Sequence, residues 1–412
     1  MSNVYVVGSA MTVFGRHPER SLDDLAGEAL RGALQDAGCA TGDLGAAFYA
    51  GMTNGPLQGQ IAIPGQVVFS KIGIEGIPVF NIENACASGS SAFHLALQSV
   101  KAGGCDVALA LGAEKMNIPD KAKAMAIFEA GWDVSRADEN FAMLAKLGEG
   151  VVPPPGSESD RPYSRFMAIY AALCRHHMKT WGTTQRQIAA VSAKNHQHSV
   201  HNPHSQFRKP FTIDEVLAAP PITYPLTLPM CAPLSDGAAA TIVCNEQGLQ
   251  RIGADRSRAI RVAASVIRSF TRRPVDAPQR SIGHLAALTA YAQAGLRPGD
   301  MDVAEVHDAS AMGEIIQAEN LGLVPFGGGG PAAERGEFTV GGRIPINPSG
   351  GLESKGHPLG ATGLGQLHEL VTQLRGEAGA RQVKGARHAI QENGGGLVGI
   401  EEGAVAVNIL VK

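Results

Sequence analysis

The chain has 412 residues, of which 44% are hydrophobic, 18% are charged and 5% are aromatic. At roughly 150 residues per structural unit, this length predicts two or three units with a large buried core and excludes global disorder. The formal net charge is -3, and no apolar run approaches the roughly 18 residues of a membrane span, so we expect neither nucleic-acid binding nor a span. No basic region precedes the first apolar run, so we expect no signal peptide and a cytoplasmic location.

The first half of the chain alternates apolar, strand-like runs with amphipathic helices. Val4 to Val7 predicts a strand, and the next helix is bounded by Ser21 as N-cap and Gly38 as stop. Further strands are predicted at AAFYAG, PVFNIEN and DVALALGAEKM, with helices at GQVVFSKIG and SGSSAFHLALQSVKAGG. This alternation is typical of an α/β fold with a largely parallel sheet.

The second half repeats this order, and each half has a glycine-rich segment leading into its central helix, CASGSSA and GHPLGATG. This weak repeat predicts two duplicated α/β halves that face each other. Between them, a proline-rich stretch and a long polar helix interrupt the pattern, and SDGAAATIVCN then returns to a buried strand. We therefore predict an N-terminal half at 1–118 completed by 234–258, a loop region at 119–233, and a C-terminal half at 259–412.

Among the six cysteines, only Cys86 has surroundings that suggest chemistry. The six are scattered without a CxxC pair, which argues against a disulfide framework or a zinc site. Cys86 lies in NACASGSSA (84–92), just before a helix, where the helix dipole and free N–H groups are expected to lower its pKa. Taken alone, this motif is more typical of a buried cysteine at a strand–helix turn.

His357 occupies the equivalent place in the second half, within NPSGGLESKGHPLGATG (347–363). A histidine that faces a cysteine across two helix N-termini forms a nucleophile–base pair. The alternative interpretation, that His357 is an ordinary turn residue, is less favoured because both glycine-rich segments carry a reactive side chain. The four histidines between 196 and 204 predict a polar helix end and loop, because no cysteine or carboxylate nearby completes a coordination sphere, and no metal is expected.

These motifs, together with SDGAAA, EVHDAS and the terminal NGGG run, resemble those of the thiolase superfamily along nearly the whole chain. The HDA and SKGHP forms are most similar to the sterol-carrier-type thiolases and their bacterial relatives. The resemblance implies an α/β thiolase-like fold with two βαβαβαββ halves in a five-layer αβαβα arrangement. It also implies that the inserted loop domain, 119–233, covers the coenzyme A site.

The resemblance implies roles for four residues. Cys86 corresponds to the nucleophile that takes the acyl group from acyl-CoA, and His357 to the base that activates it. His307 corresponds to the histidine of the thioester oxyanion hole in this subgroup, and Gly394 to the glycine whose N–H acts with that of Cys86 on the acyl-enzyme oxyanion. The implied substrate is a coenzyme A thioester without a covalently bound cofactor, and the implied assembly is a homodimer or homotetramer, with a small OB-fold partner in some relatives.

Two positions depart from the family pattern. Thiolases carry a second cysteine, in Cys-x-Gly-Gly-Gly or His-Asp-Cys-Phe, that acts as acid and base at the substrate α-carbon. Glu392 and Ala309 stand at those positions here. Glu392 either replaces the thiol, with a pKa raised by burial, or is a structural carboxylate in a site that has lost thiolase turnover.

Three functions are therefore open. The first is a thiolase-type acyl-CoA C-acyltransferase that forms an acyl-enzyme on Cys86 and cleaves or forms a carbon–carbon bond next to a thioester. The second passes the acyl group to a non-CoA acceptor. The third is a non-thiolytic acyl-CoA-binding subunit of a complex with an OB-fold partner. The intact Cys86, His307 and His357 favour an enzyme, and the missing thiols count against thiolysis.

Overall fold

A computed structural model describes residues 3–412, and within this range the chain forms eleven strands and fifteen α-helices. The strands are β1 Val4–Met11, β2 Ala46–Ala50, β3 Val79–Ile82, β4 Val107–Glu114, β5 Pro221–Thr223, β6 Leu226–Thr227, β7 Gly237–Asn245, β8 Ile260–Ser269, β9 Val303–Glu305, β10 His388–Val398 and β11 Glu401–Val411. The helices are α1 Leu22–Ala37, α2 Asn54–Gln58, α3 Pro64–Lys71, α4 Ser88–Lys101, α5 Lys121–Ala126, α6 Ala137–Ala145, α7 Arg165–Trp181, α8 Gln185–Ser199, α9 Ile213–Leu217, α10 Glu246–Arg251, α11 Ile282–Ala294, α12 Ala311–Asn320, α13 Gly329–Glu334, α14 Gly351–Lys355 and α15 Leu359–Arg375.

Nine strands form one mixed sheet in the order β3-β2-β4-β7-β1-β8-β11-β10-β9. In the first half, β7 runs antiparallel to β4 and β1, while β3, β2 and β4 are parallel. The second half has the mirrored order, with β8, β9, β10 and β11 corresponding to β1, β2, β4 and β7. The counterpart of β3 is reduced to a parallel bridge between Ala304 and Ile346. This mirrored order confirms the predicted pair of duplicated α/β halves.

The helices complete five layers. Helices α4 and α15 contact each other and strands of both halves, so they form the central layer, whereas α1 covers the outer face of the first half and α11 that of the second. Ser21 caps α1 by accepting the N–H of Asp24, and Gly38 ends it with a left-handed φ of 68°, as the sequence predicts. The αβαβα arrangement is thereby confirmed.

The two central helices touch through their backbones. A Cβ atom on Gly89 of α4 would lie 2.6 Å from the carbonyl oxygen of Gly360 in α15, so no larger residue fits there. This close approach explains the small residues at the start of both helices. It also sets the two helix N-termini side by side, with Cys86 two residues before the start of α4 and His357 two residues before the start of α15.

The segment between β4 and β7 contributes helices α5 to α9 and the small β5–β6 pair, and none of its described residues joins the nine-stranded sheet. Helix α8 ends at Ser199 and a loop follows, as predicted, but this polar helix end is buried, with His196 3% and His198 8% exposed. The division at residues 118, 233 and 258 stays a prediction. Within residues 3–412, no helix is long and apolar enough to cross a membrane.

Candidate active site

Three of the predicted site residues come together between the two halves. The Sγ atom of Cys86 and one ring nitrogen each of His307 and His357 all lie within 4.8 Å of one another. The two imidazole rings meet edge to face, with centroids 5.1 Å apart and planes at 81°. A metal ion such as Zn²⁺ also fits this spacing, and the absence of a metal stays a prediction.

A tight turn before α4 holds Cys86. Ala85 has a φ of 48°, a left-handed conformation that is uncommon for a residue with a side chain. The hydroxyl of Ser88 donates to the carbonyl of Ala85 at 2.6 Å and accepts the N–H of Asn84 at 2.8 Å. Strained backbone held by its neighbours is typical of functional turns.

The Cys86 thiol is neutral rather than ionised at rest. Burial raises its pKa to about 12, and the buried carboxylate of Glu114 raises it further. The expectation that the helix N-terminus lowers this pKa is therefore wrong. The loss of hydration is the largest cause, because a thiolate transferred from water to an apolar site loses most of its solvation. Ionisation of Cys86 consequently requires a base that takes the proton.

His357 has the tautomer that a base needs. Its Nδ1 lies 2.7 Å from the hydroxyl oxygen of Thr362, and that hydroxyl donates its own proton to the carbonyl of Pro358 at 3.0 Å. Thr362 must therefore accept from Nδ1–H, which leaves the lone pair on Nε2. Burial and neighbouring His307 hold the pKa of His357 well below its ordinary value, so the ring is neutral and able to accept a proton.

A buried chain of amides sets the opposite tautomer in His307. The amide nitrogen of Asn393 donates to Nδ1 of His307 at 3.1 Å, while the amide oxygen of Asn393 accepts from Ser90 at 2.8 Å. Gln391 donates in turn to Ser90 at 2.9 Å. His307 therefore carries its proton on Nε2, and burial lowers its pKa to about 4. The result is a neutral hydrogen-bond donor beside Cys86.

Gly394 and Glu392 lie on β10, next to this cluster. Gly394 lines the cavity that contains Cys86, His307 and His357. Glu392 is fully buried and, within residues 3–412, is not among the residues that line this cavity. One of its carboxylate oxygens accepts the backbone N–H of His307 at 3.0 Å, and the other has no partner among the described residues. Burial and the nearby Glu402 raise the pKa of Glu392 well above its ordinary value.

The cluster opens into a mainly apolar cavity of about 330 Å³. Helix α7 and neighbouring loops supply most of its aromatic wall, which consists of Phe128, Tyr163, Phe166, Tyr170, Trp181 and Phe326. The low overall aromatic content gives no sign of this wall. The distribution of the aromatic residues along the chain does indicate it, because ten of the 21 phenylalanine, tyrosine and tryptophan residues fall within 119–233.

Cys86 and His357 lie at the facing starts of two central helices in a duplicated α/β fold. This arrangement defines a class of acyl-transfer enzymes, and comparison with known proteins identifies the family within that class. The chain matches the family described as "Thiolase, N-terminal domain" over residues 4–217 and "Thiolase C-terminal domain-like" over 275–407. The chain therefore belongs to the thiolase family and is a thiolase-type acyltransferase.

Individual relatives agree with this assignment. The chain is 38% identical to sterol carrier protein 2 of Bos taurus, across 99% of this chain and 72% of that protein. It is 37% identical to an acetyl-CoA acetyltransferase of Methanothermobacter thermautotrophicus, across 97% and 98% of the two chains. A solved structure, the "Ltp2-ChsH2(DUF35) aldolase", has the same fold, with a TM-score of 0.76 at 20% identity and coverage of 99% and 97%.

Proposed function

We propose that this acyltransferase forms a covalent thioester on Cys86 from a coenzyme A thioester and cleaves or forms the carbon–carbon bond next to that thioester. The observation that carries the proposal is the meeting of Cys86, His307 and His357 within 4.8 Å at the end of one apolar cavity. A nucleophile, a base and a donor at one point are the groups that acyl transfer requires.

The nucleophile is activated at the moment of attack. The raised pKa of Cys86 and the lowered pKa of His357 keep both groups neutral at rest. As Sγ approaches the acyl carbonyl, its proton passes to Nε2 of His357, while Nδ1–H stays hydrogen-bonded to Thr362. Proton transfer therefore accompanies bond formation, and a buried ion pair exists only when the reaction has begun.

The negative charge on the acyl oxygen is stabilised by donors that are already in place. We assign Nε2–H of His307 to the substrate thioester, and the backbone N–H groups of Cys86 and Gly394 to the acyl-enzyme. His307 is suited to this role because Asn393 fixes its tautomer, so no reorganisation is needed during the reaction. Glu392 supports His307 by accepting its backbone N–H.

The substrate is a coenzyme A thioester with a bulky apolar acyl group, for which we assign the aromatic-walled cavity. A volume of about 330 Å³ is within the range of pockets that enclose small-molecule ligands. The segment 119–233, whose α7 forms part of the wall, is proposed to cover the coenzyme A. The acetyl-CoA acetyltransferase among the relatives supports a coenzyme A substrate.

Loss of the Thr362 hydroxyl is expected to slow acylation. In Thr362→Val the shape is kept, but Nδ1 of His357 loses its acceptor, so the productive tautomer is no longer favoured. One lost buried hydrogen bond corresponds to a decrease of about tenfold in the acylation rate. Stopped-flow acylation measures this, with Thr362→Ser, which keeps the hydroxyl, as the control that retains the rate. Equal rates for valine and serine would contradict the assigned tautomer.

We also propose that the chain pairs with a second copy through the edge of the first half. Strand β3 is an edge strand of the sheet, and its Phe80 is 49% exposed. Two nearby isoleucines are also exposed, Ile61 at 84% and Ile63 at 57%. Light scattering is expected to give at least twice 42.9 kDa, and Ile63→Glu is expected to reduce it. A 42.9 kDa species alone would contradict the pairing.

The similar aldolase, Ltp2-ChsH2(DUF35), is named for two components. Binding of an OB-fold partner to this chain is therefore tested by the same light-scattering measurement.

The function is tested by incubating the protein with acetyl-CoA, acetoacetyl-CoA and 3-oxo-3-phenylpropanoyl-CoA. We expect an acyl adduct on Cys86 and, with free coenzyme A, cleavage of at least one 3-oxoacyl-CoA. An adduct on Cys86 with no cleavage or condensation would favour transfer to a non-CoA acceptor, which the two missing acid/base thiols already suggest. No adduct would leave only a binding role.

A further inference from the structure

Carbon–carbon chemistry at a thioester needs a group that gives and removes a proton at C2 of the substrate. The two positions at which thiolases carry that thiol hold Glu392 and Ala309 here. Glu392 does not line the cavity, and Ala309 has no titratable group. The proton-transfer group must therefore be sought among the other residues that share the cavity with Cys86.

Glu402, near the start of β11, has a carboxylate in the cavity that contains Cys86. It lines the cavity together with Cys86, His307 and Gly394. Its side chain packs directly on Gly394, since a Cβ atom on that glycine would lie 2.8 Å from Cγ of Glu402 and 3.4 Å from its carboxyl carbon. Oε1 of Glu392 would lie at the same 3.4 Å, but Glu392 does not line the cavity, whereas Glu402 does. The carboxylate is therefore next to the strand segment that we assign to the oxyanion hole.

The environment of Glu402 suits proton transfer. Gln317 donates to one carboxylate oxygen at 2.7 Å, and the other oxygen accepts no hydrogen bond from another residue within 3–412. Burial raises the pKa of Glu402, and the neighbouring Glu401 raises it further. Tyr170 lines the same cavity with a hydroxyl that makes no hydrogen bond to the described residues. Burial, with the nearby Glu402 as the next cause, keeps its pKa well above the ordinary value.

Cys231 is the other thiol that lines the cavity, and its backbone pairs with Ser310, next to Ala309. Its Sγ donates to the carbonyl of Thr227 at 3.7 Å. After burial, the groups that raise its pKa are Glu353 and Cys174, both of which lie outside the cavity lining. The thiol of Cys231 thus has its hydrogen bond with Thr227, whereas the side chain of Glu402 packs on Gly394, which makes Glu402 the better candidate.

We propose that Glu402 is the catalytic acid and base at C2 of the substrate, an inference that rests on the proposed function. In cleavage, Sγ of Cys86 bonds to C3 and gives its proton to His357. The C2–C3 bond breaks, its electron pair forms the enolate of the departing thioester, and the carboxyl proton of Glu402 goes to C2. The proton held by His357 then returns to Glu402 through solvent. Coenzyme A attacks the acyl-enzyme and gives its thiol proton to His357, which passes it to the released Cys86, so this second half-reaction does not need Glu402.

The test separates two half-reactions in the full-length protein. Exchange of labelled coenzyme A into acetyl-CoA requires acylation of Cys86 without proton transfer at C2. Cleavage of acetoacetyl-CoA, and uptake of deuterium from D₂O at C2 of acetyl-CoA, require that proton transfer. Glu402→Gln is expected to lose about 10² to 10⁴ in cleavage and deuterium uptake, and to keep coenzyme A exchange within about threefold. Retained exchange also shows that the variant folds. Glu139→Gln, at an exposed carboxylate, is the matched control and keeps both activities.

Each other outcome decides against the inference. Wild-type cleavage and deuterium uptake by Glu402→Gln would overturn it. A selective loss of these activities in Glu392→Gln or Cys231→Ala instead would assign the role to those residues. A wild-type protein that exchanges coenzyme A but neither cleaves acetoacetyl-CoA nor takes up deuterium has no such acid and base. Absence of coenzyme A exchange in the wild type would overturn the proposed function itself.

Discussion

Replacing Cys86 by alanine will abolish the acyl-enzyme and lower acyl transfer by at least about 10⁴, because the bond-forming atom is lost and the remaining donors stabilise charge without a nucleophile. Quenched reactions with labelled acetyl-CoA measure both quantities. Alanine at Cys39, Cys105, Cys174 or Cys244 is the matched control, since none of these cysteines lines the cavity.

These four control variants are expected to acylate within about threefold of the wild type, apart from any effect on folding. A stable acyl adduct that survives in the Cys86→Ala protein would contradict the assigned nucleophile. The expectation does not depend on the acyl chain, so a short donor is sufficient for the comparison.

Replacing His357 by alanine will slow acylation by about 10² to 10⁴ at neutral pH, the usual effect of losing a positioned base. The pH dependence gives a sharper signature. In the wild type, His357 is already neutral above its lowered pKa, so the acylation rate is level from about pH 7 upwards. In His357→Ala only the Cys86 thiolate reacts, and its pKa is about 12.

The variant's acylation rate should therefore rise about tenfold per pH unit between about pH 7 and 10, where the thiolate fraction rises in proportion. His201→Ala, at an exposed histidine, is the control and should retain the level wild-type profile. A level profile in His357→Ala would mean that another group takes the proton from Cys86.

Local sequence signals predicted the elements that place the site. Helix α1 begins after Ser21 and ends before Gly38, as its capping residues indicate, and the two glycine-rich segments do start the central helices. These features are predictable because N-caps, left-handed glycines and small residues at close approaches are determined by neighbouring backbone. The family motifs predicted that Cys86, His307 and His357 belong together.

Properties that depend on enclosure could not be predicted. The pKa of Cys86 follows from the solvent that the whole fold removes, and this removal reverses the effect expected from the helix N-terminus alone. Glu392 stands at the position where thiolases carry the second cysteine. Its carboxylate nevertheless accepts the backbone N–H of His307 and does not line the cavity. Glu402 carries no motif of its own, and only the pairing of β10 with β11 brings it against Gly394.

The tautomers of the two histidines are a second example. The tautomer of His307 depends on residues far away in sequence, such as Ser90 and Asn393, which are 303 positions apart. The tautomer of His357 depends on Thr362, in the same glycine-rich motif. The sequence indicates small or polar residues at these places but not the direction in which each hydrogen bond runs. That direction is what makes His357 an acceptor and His307 a donor.

The most direct test of the central claim is the mass of the wild-type protein after brief incubation with a 3-oxoacyl-CoA in the absence of free coenzyme A. The account predicts an increase equal to one acyl group per chain, located by peptide mapping on the segment that contains Cys86, and its loss when coenzyme A is added. An unchanged mass with every donor, or an adduct on a different cysteine, would contradict the account.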